Sequence, residues 1–338
     1  MRRLNEINVV LFFILLIAII STLIYPHLST NGGDETASMA KLKQMRKSQE
    51  MFRFLRKIAR DDNLLLITSL SKEWMPSSSS PDSFLDLFME AFRLGEETSG
   101  LLNHLLVLAM DEEAFQYCKS RPVHCALLTN SSSAAAEGSS TSEGHRHFLN
   151  EDDDLTKLIE FLEAVLELGF NFAYSDLDVM WFRQPWRHFP SNNYLILATD
   201  SFHGDSSPDN EPNGGLIVAM SSEQSVAFFN LWRVLQKMNA GLDRRSSLSQ
   251  ALRRAEEDPF ELAATFLDDA YFGGLCQHGK DLDPREVCIM QANCCRDMQE
   301  KFEGLWGFLQ DWRNYTALSV EDRREGKAYW NIFNRCTR

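Results

Sequence analysis

A short apolar strand that breaks off into two aspartates constrains this chain more than any other feature. The segment Phe172-Ala-Tyr-Ser-Asp176-Leu-Asp178-Val-Met-Trp-Phe-Arg183 places carboxylates at i and i+2, then runs straight into an apolar and aromatic stretch. Charged carboxylates are costly in a core, so the turn must reach a polar edge while its flanks are buried. In an open α/β sheet, the carboxyl ends of the strands form the edge where ligands bind. Two carboxylates there suit a hard divalent cation, because Mg²⁺ and Mn²⁺ take oxygen donors and share them with substrate phosphates. A bare D-x-D recurs by chance in acidic proteins; the strand before this one and the aromatic anchor after it favour the metal reading. The acidic cluster from Glu151 to Asp154 opens a helix, where negative charge is favourable, and reads as a solvated helix start.

The surrounding residues supply a sheet for that edge. Leu64 to Leu70, Leu105 to Met110, Phe170 to Tyr174, Leu195 to Thr199 and Leu216 to Met220 read as buried strands. Helices are expected over Ser83 to Leu94, Ala114 to Lys119 and Asp154 to Leu168, the last with Leu155, Leu158, Ile159, Leu162 and Leu166 on one face. This alternation predicts an α/β fold: a single domain on a mixed, mainly parallel sheet. A Pro/Ser-rich turn spans Met75 to Pro81, and the low-complexity stretch 130–147 is expected to be a disordered surface loop. No internal repeat, dinucleotide fingerprint or phosphate-loop motif occurs.

Val9 to Tyr25 is a run of seventeen uncharged residues. As a helix it would span roughly 25 Å, slightly less than a hydrocarbon core of roughly 30 Å and better matched to thinner internal membranes. Arg2 and Arg3 precede it and favour a cytoplasmic N-terminus. The run is long for a cleaved signal peptide, and no small-x-small site follows Tyr25. The expected organisation is therefore a cytoplasmic tail (1–8), a transmembrane signal anchor (9–25), a basic stem (26–60), a lumenal domain (61–316) and a C-terminal tail (317–338). The stem from Lys41 to Arg60 is expected to be helical, with Met45, Met51, Phe52, Leu55 and Ile58 as its weak apolar spacing.

Charge is divided unevenly along this plan. The chain has 34 basic and 48 acidic residues, a net of −14, which argues against nonspecific nucleic-acid binding. An aromatic content of 11% excludes collagen-like and wholly disordered classes. Residues 41–60 carry +7, which leaves residues 61–338 at −20. So acidic a body is poorly suited to hold a polyanion unaided, which again favours a bound cation.

Seven cysteines occupy positions 118, 125, 276, 288, 294, 295 and 336, with no pair at zinc-site spacing. Beyond a membrane anchor, disulfides are the default. Cys118–Cys125 is expected to close a small loop, and Cys276 to bridge to Cys294 or Cys295. The odd count leaves at least one thiol free or in an intermolecular bond. Asn130-Ser-Ser and Asn314-Tyr-Thr are glycosylation sequons, usable only in a secretory lumen.

The segment from Ile159 to Arg183, IEFLEAVLELGFNFAYSDLDVMWFR, resembles the core of plant nucleotide-diphospho-sugar transferases related to glycosyltransferase family 77. The likeness extends over roughly residues 61–315. It takes in Leu102-Leu-Asn-His-Leu, the Cys118 and Cys125 pair, Asn213-Gly214-Gly215, Ala270-Tyr-Phe-Gly-Gly-Leu-Cys276, Ala292-Asn-Cys-Cys295 and Leu309-Gln-Asp-Trp312. The resemblance implies a GT-A fold, a type II Golgi membrane protein with its body in the lumen, a UDP-sugar donor and a divalent metal, Mn²⁺ in preference to Mg²⁺. It also implies retention of anomeric configuration and a cell-wall polysaccharide or glycoprotein acceptor.

By the same resemblance, Asp176 and Asp178 are the D-x-D, with Asp178 a direct metal ligand and Asp176 on the ribose or metal. Thr68 and Ser69 would hold the nucleotide, and Asp200, Asn213, Gly214 and Gly215 would line the sugar side. The two glycines suit either close backbone approach to a ligand or a turn. Asp268 and Asp269 match a polar pair near the sugar or acceptor, with Asp269 a catalytic candidate, or else cap a helix. Lys301 is a candidate for neutralising diphosphate charge, against the alternative of an exposed lysine. Three positions depart from the family pattern. Gln291 stands where a histidine would be the third metal ligand, Arg296-Asp297 where a glycine is usual, and Leu177 where a small residue is common. A glutamine oxygen is the weaker donor, so the sequence supports two functions: a metal-dependent transferase, or a catalytically weak or inactive lumenal partner of the same fold.

Overall fold

The computed structural model describes residues 31–75, 83–128, 153–189, 194–207, 209–256, 264–275, 282–327 and 330–331. The chain divides into two compact units, Met1–Leu55 and Arg56–Arg338. Helix α1 (Asn31–Ile58) is the described part of the first and ends in the second. The stretch expected to be helical is a helix, and it starts ten residues before the basic stretch, with Met45 and Phe52 exposed. Among the described residues no helix is long and apolar enough to cross a membrane. The Val9 to Tyr25 run, the 130–147 loop, Cys276 and Cys336 all lie outside them.

The second unit is built on strands β1 (Leu64–Leu70), β2 (Leu105–Ala109), β3 (His124–Leu127), β4 (Asn171–Ser175), β5 (Val179–Trp181), β6 (Leu195–Thr199), β7 (Pro212–Ala219), β8 (Ala264–Phe266), β9 (Phe272–Gly274) and β10 (Ile289–Gln291). Seven form one sheet in the order β3-β2-β1-β4-β7-β6-β8, and β5-β10-β9 form a second. In the large sheet every pairing is parallel except those of β7 with β4 and β6. This is the expected mixed, mainly parallel sheet. Strand β7 begins at Pro212, four residues before the predicted start, because Asn213-Gly-Gly has little strand propensity of its own and is held between two neighbours. Strands β5, β8, β9 and β10 have three residues each, too short to show a period.

Helices alternate with these near-continuous apolar, buried strands along the chain. Helix α2 (Phe84–Leu94) starts where Ser83 Oγ accepts from Asp86 N at 3.0 Å, and α3 (Glu112–Lys119) where Asp111 Oδ1 accepts from Ala114 N at 2.8 Å. Helix α4 (Asp154–Glu167) is capped by Asp153, so the acidic cluster's described end is a helix start as expected. Helix α5 (Glu223–Met238) sets Phe229 edge-on to Phe172 of β4, with ring centroids 5.5 Å apart. Helix α6 (Arg244–Glu256) follows it directly. Against the segment after the aspartates, Phe92 of α2 stacks on Trp181 at 5.3 Å, and Trp312 of α7 (Met298–Ala317) stacks on Phe182 at 4.9 Å. Such pairs contribute about 0.5–1.5 kcal/mol each beyond area burial. The aromatic anchor read from sequence is therefore real, and the short α8 (Val320–Arg324) follows it in the chain.

The stretch expected as a C-terminal tail is not loose in its described part. Trp330 is buried, 5.7 Å from Phe182 between ring centroids, and Asn331 donates to both oxygens of Asp311. Cys118 and Cys125 are joined, as expected. Cys294 and Cys295 are each part of a disulfide, and among the described residues Cys288 is a buried free thiol.

Candidate functional site

The ends of β1, β4 and β6, the start of antiparallel β7 and the end of β10 meet at one edge. That topology explains why Ser69, Asp176, Asp178, Asp200, Asn213 and Gln291, spread over more than two hundred residues, come together. The Asp176-Leu177-Asp178 turn is fixed by its backbone. Asp176 N donates to Gly215 O of β7 at 2.8 Å, and Ala292 N donates to Asp178 O at 2.9 Å. Leu177 and Asp178 are both buried, and Asp176 is half-buried beside them. Trp181 Nε1 donates to Ser175 Oγ at 3.0 Å and locks the segment from below.

Each carboxylate carries a cation from the protein itself. Asp176 Oδ1 accepts from Arg244 Nη1 and from the Tyr174 hydroxyl, both at 2.6 Å. Tyr174 in turn shares a 2.8 Å hydrogen bond with Ser69 Oγ. Asp178, 3% exposed, is ion-paired through Oδ2 with the Lys301 ammonium. Asp200 is ion-paired with Arg245 through Oδ2, and its Oδ1 accepts from Asn213 Nδ2 at 3.2 Å and Asn293 Nδ2 at 2.7 Å. Burial pushes the Asp178 carboxyl above the usual carboxylate range, the Lys301 ammonium pulls the other way, and the Asp176 charge adds to the rise. Burial disfavours the Arg244 cation, but Asp176 and Tyr174 beside it hold the guanidinium above its ordinary range.

An amide relay fixes how Gln291 faces this cluster. Gly215 N donates to Asn213 Oδ1 at 2.9 Å, which leaves Asn213 Nδ2 to face outward. That nitrogen donates to Gln291 Oε1 at 2.9 Å, so Gln291 turns Nε2 toward Asp178 Oδ1 at 3.4 Å. Flipping either amide would set donor against donor or acceptor against acceptor. Gly215 makes the approach possible, since a Cβ there would lie 2.2 Å from Gln291 Nε2. Gly214 sits at φ +75°, a left-handed conformation, and its carbonyl accepts from Arg244 Nη1 at 3.1 Å. Gly214 thus has the conformation a turn requires, while the close approach at Gly215 is to a protein side chain, Gln291.

The expected metal set of Asp176, Asp178 and Gln291 does not fit a divalent cation in this arrangement. Asp178 Oδ2 is held by an ammonium, Asp176 Oδ1 by a guanidinium and a phenol, and Gln291 presents a donor nitrogen to Asp178. A hard cation needs oxygen lone pairs within about 2.0–2.6 Å, and Asp178 Oδ2, Asp176 Oδ1 and Gln291 Oε1 are each already engaged by a protein donor. Among the described residues there is also no group of three or more His, Cys, Asp or Glu placed to hold a metal.

The other expected residues divide. Lys301 is not an exposed surface lysine but a partner of Asp178, 5.4 Å above the Trp74 ring. Ser69 joins the cluster through Tyr174, whereas the Thr68 side chain is fully buried and has no hydrogen-bond partner, so it cannot touch a nucleotide as placed. Asp268 Oδ1 accepts from Ala270 N at 2.9 Å and caps its own turn. It lines a separate cleft of about 260 Å³ with Arg187, His188 and Tyr271. Asp269 Oδ2 accepts from Phe202 N at 3.4 Å, reaching the loop after Asp200 without touching the paired aspartates.

Motif reading missed Arg244, Arg245, Tyr174 and Asn293. The arginines did leave a signal. They open α6, where the helix dipole disfavours positive charge, and the single acid at that end, Asp243 just before the helix, accepts from Ser246 N at 3.0 Å and cannot balance both. A basic pair at a helix start asks for an acidic partner elsewhere, and Asp176 and Asp200 are those partners.

The model of the nucleotide-diphospho-sugar transferase family matches residues 100–305. The uncharacterized protein At4g15970 of Arabidopsis thaliana is 30% identical over 275 residues, covering 80% of this chain and 69% of its own length. The uncharacterized protein At1g28695 of the same plant is 26% identical over 282 residues, covering 83% and 80%. Among solved structures, the glycosyltransferase GlyE of Streptococcus pneumoniae aligns at 13% identity and a TM-score of 0.42. That match covers 78% of this chain, which spans only 64% of the GlyE chain. The galactosyltransferase LgtC, solved with donor and acceptor sugar analogs, aligns at 11% identity and a TM-score of 0.39, covering 77% of this chain and 99% of its own.

Proposed function

We propose that this chain, which belongs to the nucleotide-diphospho-sugar transferase family, holds the diphosphate of a UDP-sugar at the Asp176, Asp178 and Asp200 cluster and transfers the sugar to an acceptor hydroxyl. The observation that carries the reading is the convergence of Lys301, Arg244 and Arg245 on one sheet edge, each already balanced by a carboxylate. A diphosphate arriving there meets a site of no net charge rather than three bare aspartates.

In the transfer, the bond from the anomeric carbon to the diphosphate oxygen breaks, and the acceptor oxygen forms the new bond. The departing diphosphate gains charge, which preorganised cations stabilise. Lys301 reaches in from α7, and Arg244 is held by Asp176 and Gly214. Asn213, Asn293 and Asp200 offer amide and carboxylate groups to a sugar's hydroxyls. The acceptor proton goes to the leaving phosphate, and the configuration at the anomeric carbon is retained on a GT-A fold. The Mn²⁺ dependence expected from sequence is not part of this scheme, because Asp176 Oδ1, Asp178 Oδ2 and Gln291 Oε1 are each engaged by protein cations or amides.

The reading extends to place. The Val9 to Tyr25 run, the Arg2 and Arg3 pair before it, the disulfides and the exposed Asn314 sequon support a single-pass type II protein with its body in the Golgi lumen. A cell-wall polysaccharide or a glycoprotein is the proposed acceptor. A second reading, a lumenal partner of the same fold with little or no turnover, is favoured by one observation: Gln291 turns a donor nitrogen to Asp178. Release of UDP from a panel of UDP-sugars by the purified full-length chain tests both. Turnover of one donor supports the transferase, and binding of UDP with no turnover of any donor supports the partner.

A further inference from the structure

We infer that the nucleoside diphosphate binds this site without a divalent cation, its charge being met by Lys301, Arg244 and Arg245. The inference rests on the nucleotide-sugar reading above and deepens it by stating that the nucleotide's affinity does not depend on a divalent cation.

Three observations carry it. The first is stoichiometric: each acid at the edge has one cation, Asp178 with Lys301, Asp176 with Arg244 and Asp200 with Arg245. Three acids and three cations leave the edge with no net charge, so a diphosphate is not repelled there as it would be by bare carboxylates. The second is the amide relay from Gly215 through Asn213 to Gln291, which directs a nitrogen, not an oxygen, toward Asp178. A metal ligand set would need that relay reversed along its whole length. The third is spare donor capacity. Arg244 Nε is buried with no hydrogen-bond partner, although a guanidinium has five N–H donors. An ammonium has three donors, so Lys301 can keep Asp178 and still donate to a phosphate oxygen.

Calorimetric titration of the full-length protein in detergent with UDP tests this, once in EDTA and once in excess Mn²⁺. The inference expects affinities within about threefold of each other. It also expects Lys301→Gln to weaken binding about tenfold or more in EDTA, the loss of one hydrogen bond from a charged donor. Lys301→Arg, which keeps the charge, should recover most of that loss, and thermal melting of both variants confirms that they are folded. Binding that appears only with Mn²⁺, or that Lys301→Gln leaves unchanged in EDTA, overturns the inference and leaves the nucleotide-sugar reading standing. No binding of UDP in either condition overturns both.

Discussion

The buried carboxylate of Asp178, in the turn between β4 and β5, is ion-paired with the ammonium of Lys301 on α7 across 123 residues of sequence. Removing one partner of a buried pair strands the other, at a cost of about 3–5 kcal/mol. Here burial already raises the Asp178 pKa, so a stranded Asp178 takes up a proton in preference to staying charged. Lys301→Met is therefore expected to lower the stability to urea more at pH 8 than at pH 5. The double variant Lys301→Met, Asp178→Asn should regain much of the loss at pH 8. Additive losses, independent of pH, would show that the two groups do not interact.

Gly215 and Gln291 form a second coupled pair. Alanine at 215 would place its Cβ 2.2 Å from Gln291 Nε2 and 2.8 Å from Cδ. Overpacking of this kind costs about 1–3 kcal/mol. Gly215→Ala is expected to lower the melting temperature, and adding Gln291→Ala should restore most of it. A melting temperature that the second substitution leaves unimproved would place the strain in the backbone instead.

What was legible in the sequence followed periodicity and local chemistry. The apolar runs at Leu64 to Leu70 and Leu195 to Thr199 are the strands they seemed, because burial on both faces demands continuous hydrophobicity. Ser83, Asp111 and Asp153 cap their helices for reasons visible within three residues. The D-x-D was visible as chemistry, but its partners were not. Arg244 and Lys301 lie 68 and 123 residues away from the aspartates they meet, and only topology joins them. Gln291 looked like a weakened ligand in isolation. Its amide orientation is set by Asn213, which is set in turn by a backbone N–H of β7, and no local pattern encodes that chain of choices.

Away from the site, Asp86 ties α2 to the end of α3. It accepts from Arg121 Nε at 2.7 Å, from Arg121 Nη2 at 2.9 Å and from the Tyr117 hydroxyl at 2.9 Å. Burial opposes the Asp86 charge, but Arg121, Ser83 and Tyr117 outweigh it and hold the carboxyl at about 2. A depressed carboxyl contributes stability that is complete above its unfolded value, near 3.9, and is lost as pH falls through about 2. Asp86→Asn should lose that contribution at pH 5 and show a flatter acid limb in thermal melts between pH 4 and 2. An unchanged acid limb would mean that Asp86 carries no such linkage.

The cysteines should behave as two classes. Burial pushes the Cys288 thiol up to about 11, and only the thiolate reacts, so iodoacetamide at pH 8 should leave it unlabelled in the native protein and label it in urea. The Cys118–Cys125 bridge closes a short loop, and its replacement by serines should cost about 2–3 kcal/mol. Labelling of Cys288 in the native state, measured by mass spectrometry, would contradict its place in the core.

The most direct measurement is a crystal structure of the full-length protein with UDP, grown in excess Mn²⁺ and recorded at the manganese absorption edge. The account expects the diphosphate within hydrogen-bond distance of Lys301 and Arg244, Gln291 still bonded to Asn213, and no anomalous peak between Asp176 and Asp178. An anomalous peak ligated by Asp176, Asp178 and Gln291, with Lys301 turned away from Asp178, would contradict it.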